Sequence, residues 1–206
     1  MSPIALTRRR VLLGGVGLLA YSGTAYWSIT ERIMRAEVPL YGETVAFGGG
    51  GSREIVPVGR VDAVVPGTRV LADRVQTAAL LEEEQAWLAS CAPWVQTCLD
   101  AGDDVLRSAL LDLRALSADL KVSVAGWTDR WRYAWPRDVS FVAAALARVG
   151  HHDAAADQLR WLRGVQGRDG GFEARYDPST RRPPDGRVAQ LDGTGWVVWG
   201  AAQIAA

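Results

Sequence analysis

The feature that most constrains the fold is an alternation of two helical patterns over residues 103–206. The segments 103–117 and 153–166 carry apolar residues at three- and four-residue spacing, which predicts helices with one buried stripe. The segments 140–149 and 195–206 are apolar on nearly all sides, which predicts helices that are buried all round. Striped helices that alternate with fully apolar ones favour two concentric layers, with the apolar helices inside. The pattern therefore predicts an all-α fold of the α/α toroid type.

Local signals refine this helical prediction. A further helix is predicted over residues 75–90, with Glu82 to Glu84 on a solvated face. Asp103 or Asp104 is expected to cap the helix that follows. The buried stripe of that helix is expected to consist of Val105, Leu106, Ala109, Leu110, Leu113 and Leu116.

Length and charge exclude several classes of protein. The chain has 206 residues, enough for one sizeable domain, and 49% of them are apolar, which excludes wholesale disorder. Its 23 basic and 23 acidic residues balance to a net charge of zero. A general nucleic-acid binder needs a basic excess, so no nucleic-acid partner is expected.

The first 30 residues have the organisation of a targeting segment. Arg8, Arg9 and Arg10 precede nineteen uncharged residues, 11–29, and small residues follow around 22–25. Paired arginines before a moderately apolar run resemble a twin-arginine export signal. A transmembrane anchor is the alternative, because nineteen residues can just span a bilayer. Either reading places the folded part outside the cytoplasm, with membrane contact only through this segment.

Residues 31–75 are interpreted as a flexible lead-in to a domain over 76–206. Gly48 to Ser52 is predicted to be a flexible linker, and no Gly-Lys-Ser/Thr follows that would make it a phosphate loop. Short β-branched runs between Ile55 and Leu71, around Pro66-Gly67, predict a small hairpin or an extended strap.

Cysteines and histidines give little support for a metal site. Cys91 and Cys98 stand seven positions apart, about 10.5 Å on a straight helix, whereas a disulfide needs Cα atoms within roughly 7 Å. Pro93 between them can break the helix, so a disulfide and two buried thiols both remain open. His151-His152 fall in a predicted surface turn, and no ligand spacing typical of a metal site occurs. We expect no metal and no cofactor.

Residues 126–138 are the most informative segment for function. Trp131, Tyr133 and Trp135 alternate, so in an extended strand their rings would share one face. Arg137 and Asp138 come directly before the predicted apolar helix. A guanidinium and a carboxylate beside aromatic rings can bind sugar hydroxyls while the rings stack on the sugar. A structural salt bridge at the start of the helix is the alternative.

Here the chain resembles the glucoamylase-like enzymes of glycoside hydrolase family 15. WRYAWPRD at 131–138, followed by SFVAAA, is similar to that family's aromatic and Arg-Asp segment. QGRDGGF at 166–172 and QLDGTGW at 190–196 extend the resemblance, which covers about residues 100–206.

The resemblance implies an (α/α)6 barrel and inverting, exo-acting hydrolysis of α-glucans or maltooligosaccharides. It also implies roles at a substrate-binding site: Arg137 and Asp138 hold hydroxyls of the terminal glucose, and Trp131 and Trp135 shape the pocket wall. Asp192 supports the pocket floor, with a structural role as the alternative, and Arg175 is a weaker candidate.

The catalytic pair is expected elsewhere. Inversion uses one carboxylic acid and one carboxylate separated by a water molecule. In the family that the chain resembles, both are glutamates further along the barrel, and Glu173 is the only glutamate after Trp127 here. No residue of this chain is therefore assigned to catalysis. We expect the N-terminal portion of the barrel, an incomplete toroid that is inactive by itself.

Two other readings remain open. One is a non-catalytic, envelope-associated fragment that at most binds carbohydrate, which the absent glutamates favour. The other is a toroid enzyme of different chemistry, such as a terpene cyclase, which rests on the turn at Asp169-Gly170-Gly171 but lacks an Asp-rich acidic motif.

Overall fold

Helices dominate the part of the chain that the structure describes. The computed structural model describes residues 44–57, 59–188 and 190–205. Its helices and strands, in chain order, are β1 (Thr44–Gly49), β2 (Ser52–Val56), α1 (Thr77–Ala89), α2 (Pro93–Asp100), α3 (Asp104–Ser117), α4 (Pro136–Arg148), α5 (His152–Arg163) and α6 (Gly193–Ala205). The prediction of a helical fold is confirmed at this level, and a two-stranded sheet is added to it.

The signal or anchor predicted over residues 1–30 lies outside the described residues, as does the beginning of the lead-in. Within the described ranges, no helix has both the length and the apolar character that crossing a bilayer requires.

The glycine run after Phe47 forms a hairpin turn, so the prediction of a flexible linker from Gly48 to Ser52 is wrong. β1 and β2 pair antiparallel, with Val45 opposite Ile55. Three consecutive glycines, 49–51, have φ values of +107°, +58° and +75°. Only glycine adopts such angles at little cost, and a tight turn between two strands requires them. The three glycines therefore form a tight turn and are not a flexible linker.

The turn predicted at Pro66-Gly67 is present, but the strands of the hairpin lie earlier in the chain. The Thr68 amide donates to the Val65 carbonyl at 3.1 Å across this turn. Val64 and Leu71 form a single antiparallel bridge beside it. The Phe47 amide donates to the Arg69 carbonyl of this segment at 2.8 Å, and the Phe47 side chain is buried against Val70, Leu80 and Ala115.

Helix α1 confirms the predicted helix over 75–90, whereas the solvated face assigned to its glutamates is wrong for Glu84. The side chain of Glu84 belongs to the interior, and the residue is only 3% exposed. Its Oε2 accepts a hydrogen bond from the Arg69 amide at 3.0 Å. Burial raises the pKa of the Glu84 carboxyl, and the Arg69 amide partly compensates for the lost water.

Helix α2 was not predicted, and it separates the two cysteines. Pro93 occupies the first turn, where a missing amide hydrogen costs nothing and the fixed φ suits a helix. Cys91 precedes the helix and Cys98 lies within it, and both are free thiols. The reading with two free thiols is therefore confirmed over the disulfide, but only Cys91 is buried, since Cys98 is partly exposed.

Helix α3 begins as predicted, with the Asp103 side chain accepting from the Leu106 amide at 2.9 Å. Its predicted stripe is displaced, because Val105 is 81% exposed. The residues that α3 buries are Leu110, Leu111, Arg114 and Ala115. A charged residue occupies this face because the Arg114 guanidinium lies 4.6 Å from the centroid of the Phe47 ring.

Helix α4 packs against both α5 and α6. A three-residue turn at 149–151 joins it to α5. Gly200 allows the close approach of α6, since a Cβ atom there would meet the Ser140 Cβ at 3.1 Å. The largest core cluster lies beside these helices and consists of Val122, Ala134, Val139, Trp161, Leu162, Phe172 and Tyr176.

Helices α4 and α6 are not buried all round, which corrects the prediction. Val198 of α6 is 66% exposed, and Phe141 of α4 is also exposed. The Phe141 ring packs against Trp196 and Trp199, at centroid distances of 4.8 and 4.9 Å. Among the described helices, α6 packs mainly on α4 and α5, and apolar side chains such as that of Val198 on its other side face solvent.

Candidate functional site

Arg137 and Asp138 lie in the first turn of α4. Trp135 is the N-cap residue, and Pro136 takes the first helical position that its fixed φ favours. The Arg137 Nε is 3.6 Å from the Asp138 Oδ1, and both side chains are partly exposed. The Asp138 carboxylate also lies near the positive end of the helix dipole.

Asp192 joins this pair from the residue before α6. Its Oδ2 accepts a hydrogen bond from the Arg137 Nη1 at 2.9 Å and one from the Trp196 indole Nε1 at 3.2 Å. The fold thus brings together three predicted site residues, Arg137, Asp138 and Asp192, at the beginnings of two neighbouring helices. We call these three residues the Arg137 cluster. It presents fixed donors and acceptors at a partly exposed surface, the combination that binds hydroxyl groups.

The aromatic residues gather as predicted, but they do not lie on a strand. Thr128 accepts backbone hydrogen bonds from Trp131 and Arg132, each at 2.9 Å, so the chain turns here. The Trp131 and Trp135 rings are 5.7 Å apart at their centroids, and the Tyr133 ring meets Trp135 edge-on at 6.0 Å. Trp131 is 58% exposed, whereas Trp135 is buried. Trp131 therefore offers a ring to solvent, and Trp135 supports it from below.

The backbone connects the aromatic residues to the Arg137 cluster. Trp135 is both part of the aromatic group and the N-cap of α4, and Arg137 lies two residues further on. A change in the path of the chain before Trp135 would therefore alter where Trp131 stands relative to Arg137.

Arg175, the weaker candidate, supports the aromatic group from the interior. Its guanidinium carbon lies 4.1 Å from the Tyr133 centroid and 5.5 Å from the Trp135 centroid. Its Nη2 donates to the Asp185 Oδ2 at 2.6 Å, and this bond holds the pKa of Asp185 below its ordinary value. Because Arg175 is buried, its position suits ring packing better than direct binding of a sugar.

Glu173 is not part of the Arg137 cluster. It is exposed, and its backbone amide donates to the Tyr176 hydroxyl at 2.7 Å. Within the described residues, no group of three or more His, Cys, Asp and Glu side chains could hold a metal ion.

Sequence reasoning missed a second polar contact, between Cys91 and His151. His151 lies in the predicted turn but is only partly exposed, whereas His152 is exposed and is the first residue of α5. The His151 ring stacks on Trp87 at 4.1 Å and 15°, and its Nε2 is 3.2 Å from the Cys91 Sγ. Burial lowers the pKa of His151 and raises the pKa of Cys91, which favours a neutral ring beside a neutral thiol. The contacts of His151 with Cys91 and Trp87 hold the turn before α5 against the end of α1.

The His151 contact predicts a loss of stability in acid. Because burial lowers its folded pKa, the unfolded state binds a proton that the folded state resists. The neutral ring's contribution is complete above the ordinary pKa of 6.5 and is lost as the pH falls through that value toward the lowered folded pKa. We expect the free energy of unfolding, measured with urea, to fall from pH 7 to pH 5, and to fall less in His151→Gln. The exposed neighbour gives the control, His152→Gln, and an unchanged slope in His151→Gln would contradict the assignment.

A separate cleft of about 350 Å³ lies beside the hairpin, lined by Glu54, Arg60, Asp62, Asp73, Arg74 and neighbouring apolar residues. It contains no predicted site residue. The Arg137 cluster is instead an open surface at the start of α4 and α6.

Comparison of the chain with protein-family models, with curated proteins and with solved structures finds no match.

Proposed function

We propose that the chain carries the glucose-binding part of an exported, inverting, exo-acting α-glucan hydrolase of the glucoamylase type. The observation that carries the proposal is the Arg137 cluster, in which one guanidinium contacts two carboxylates, Asp138 and Asp192. Glucose presents several hydroxyl groups that each donate and accept, so it suits a site with fixed donors and acceptors. The proposed substrate is the non-reducing end of an α-glucan or a maltooligosaccharide.

The position of the exposed tryptophan supports a sugar as the ligand. Trp131 is 58% exposed, and its ring lies 5.7 Å from that of Trp135, the N-cap residue of α4. Sugar rings have flat apolar faces that pack well on indole, while their hydroxyls point to the sides. A polar cluster next to an exposed tryptophan matches both features.

Helix packing supports the proposed toroid. In an α/α toroid each inner helix packs on the next outer helix and on the next inner helix. Helix α4 has this relation to α5 and α6, and α5 follows it after a three-residue turn. The proposed site would then lie where the inner helices begin. The export signal proposed for residues 1–30 would deliver this domain to the outside of the cytoplasmic membrane.

Carbohydrate binding without hydrolysis is the second candidate. Both carboxylates of the site, Asp138 and Asp192, contact the same guanidinium. Inversion needs a general acid and a general base on the two sides of the scissile bond, about 6.5 to 9.5 Å apart. Because both carboxylates of the cluster are paired with Arg137, we assign them to hydroxyl binding and not to acid–base catalysis, which favours this candidate for the chain as given.

Titration calorimetry of the full chain with maltotriose tests both candidates. Binding of maltotriose, with weak or no binding of the β-linked cellotriose, is the expected result. Release of glucose in the same solution would support hydrolysis, and binding without release would support the second candidate. If the protein is folded by near-ultraviolet dichroism and binds no α-glucan, the proposal is wrong and the Arg137 cluster is a structural ion-pair network.

Trp131→Ala is expected to weaken maltotriose binding about tenfold, because the sugar loses its stacking surface. The melting temperature should change little, since the side chain is largely exposed. Trp94→Ala is the matched control, because Trp94 is 50% exposed and lies on α2. Equal loss of affinity in the two variants would contradict the role of Trp131.

A further inference from the structure

The loop that carries Trp131 is closed on itself. We call residues 126–132 the Trp127 loop. The Gly126 amide donates to the Trp131 carbonyl at 3.0 Å, and a Cβ atom on Gly126 would meet the Trp131 Cβ at 3.0 Å. Arg132 adds two hydrogen bonds to the Trp127 carbonyl, from Nε at 3.1 Å and from Nη2 at 2.7 Å. Trp127 and Trp131 are therefore held in one small unit.

The Trp127 loop is attached to the hairpin through its first tryptophan. The Trp127 indole Nε1 donates to the Arg53 carbonyl on β2 at 3.2 Å. The Arg53 guanidinium carbon lies 4.9 Å from the Trp127 centroid, and that of Arg132 lies 4.6 Å from it. The edge of this indole is thus hydrogen-bonded to the hairpin, and two guanidinium groups pack on its ring.

Arg53 is in turn fixed by the interior of the protein. Its guanidinium carbon is 4.7 Å from the Phe47 centroid, and its Nη2 donates to the Ala118 carbonyl after α3. Its Nε is buried without a hydrogen-bond partner, which is unfavourable by itself. Packing of the Arg53 guanidinium between the Phe47 and Trp127 rings, together with its hydrogen bond to the Ala118 carbonyl, compensates for this unpaired donor. Phe47, Arg53, Trp127 and Arg132 form one continuous stack of alternating rings and guanidinium groups.

We infer that Arg53 is a positioning residue for Trp131, acting through the stack and the Trp127 loop. This inference rests on the proposed function, because it assigns the stack a role in sugar binding. The hairpin is then part of the site's architecture, although the ion pairs of the Arg137 cluster are formed among its own three residues. Its role is to keep the Trp131 ring where a sugar held by Arg137 can stack on it.

Hydrogen exchange and maltotriose titration test the role of Arg53 in the full chain. In Arg53→Ala we expect the amides of Gly126, Trp131 and Arg132 to exchange about tenfold faster, since the Trp127 ring loses the guanidinium packed on it and only the hydrogen bond to the backbone carbonyl of residue 53 remains. Maltotriose affinity should fall about fivefold. Arg53→Lys should show the same fast amide exchange and the same weak maltotriose binding, because an ammonium group cannot replace a planar guanidinium between two rings. Arg74→Ala is the matched control, since Arg74 pairs with the hairpin's Glu54 at 3.0 Å on an exposed surface.

A double-mutant cycle separates positioning from general stabilisation. If Arg53 acts through Trp131, then Arg53→Ala should cause no further loss of affinity in the Trp131→Ala protein. The same fivefold loss in both backgrounds would overturn the inference, as would unchanged exchange of the loop amides. If Arg53→Ala does not fold, Arg132→Gln tests the same stack from its exposed end, and we expect faster exchange of Trp131 and weaker binding there too.

The two proposals fail in different ways. Absence of maltotriose binding by the unmodified protein would overturn the proposed function and, with it, the role of Arg53 in sugar binding. The exchange measurement would still decide whether Arg53 anchors the Trp127 loop. Normal binding with unchanged exchange in Arg53→Ala would leave the proposed function intact and overturn the inference about Arg53.

Discussion

Arg137→Ala is expected to weaken maltotriose binding about a hundredfold, or about 2.7 kcal/mol. The change removes the donors that face Asp192 and Asp138, and it leaves two carboxylates close together without the cation that they share. Repulsion then displaces the acceptors as well, so the whole cluster is affected. Titration calorimetry at pH 7 measures the loss.

The stability of the protein should hardly change in Arg137→Ala. Partly exposed ion pairs contribute at most about 1 kcal/mol to the free energy of unfolding. Arg160→Ala is the control, because Arg160 forms an exposed ion pair with Asp157 on α5. Arg137→Lys should bind maltotriose almost as weakly as Arg137→Ala, since lysine has no planar group with several fixed donors. Unchanged affinity in Arg137→Ala would show that the cluster is structural only.

Gly150→Ala is expected to lower the free energy of unfolding by about 3 kcal/mol, the largest stability effect that we predict. Two causes add. The φ angle of Gly150 is +99°, which a residue with a Cβ adopts only under strain. The new Cβ would also lie 2.9 Å from the Ala92 backbone nitrogen, which donates to the Val149 carbonyl at 2.8 Å. Either the clash persists or that hydrogen bond breaks, and urea unfolding at pH 7 measures the cost.

A substitution at a second glycine, Gly102, separates the cost of backbone strain at positive φ from the cost of a steric clash. Gly102 has a φ angle of +82°, but a Cβ atom there would meet nothing within 4 Å. Gly102→Ala should therefore show the strain alone, about 1 kcal/mol. Equal effects in the two variants would mean that the contact between Gly150 and Ala92 does not restrict the turn.

Local sequence signals located most of the helices because those signals act within a few residues. Asp103 caps α3 through the third amide after it, and Pro136 starts α4 next to the Arg137 and Asp138 that it positions. Such features depend on backbone angles and near neighbours, which the order of residues determines directly. The association of Asp192 with Arg137 came from resemblance to a family, and the structure places the two side chains in contact.

Which face of each helix is buried could not be read from periodicity. Arg114 and Glu84 are buried because Phe47 and the Arg69 amide, far away in the chain, meet them. The glycine run also depends on a partner that local sequence does not show, because it forms a turn only when β1 pairs with β2. The periodicity of apolar residues shows how apolar each helix face is, whereas the burial of that face depends on which segment of the chain packs against it.

By itself, then, the sequence determined the helical class, most helix boundaries and the placement of Arg137 and Asp138 at a helix start. Only the tertiary structure decided that Asp192 contacts both Arg137 and Trp196, that His151 pairs with Cys91 and that Arg53 reaches the Trp127 loop. The physical reason is the range of the interactions. Caps and turns form within a few residues, but a stacked guanidinium or a shared carboxylate joins positions many residues apart, which only the packing of helices and hairpin brings together.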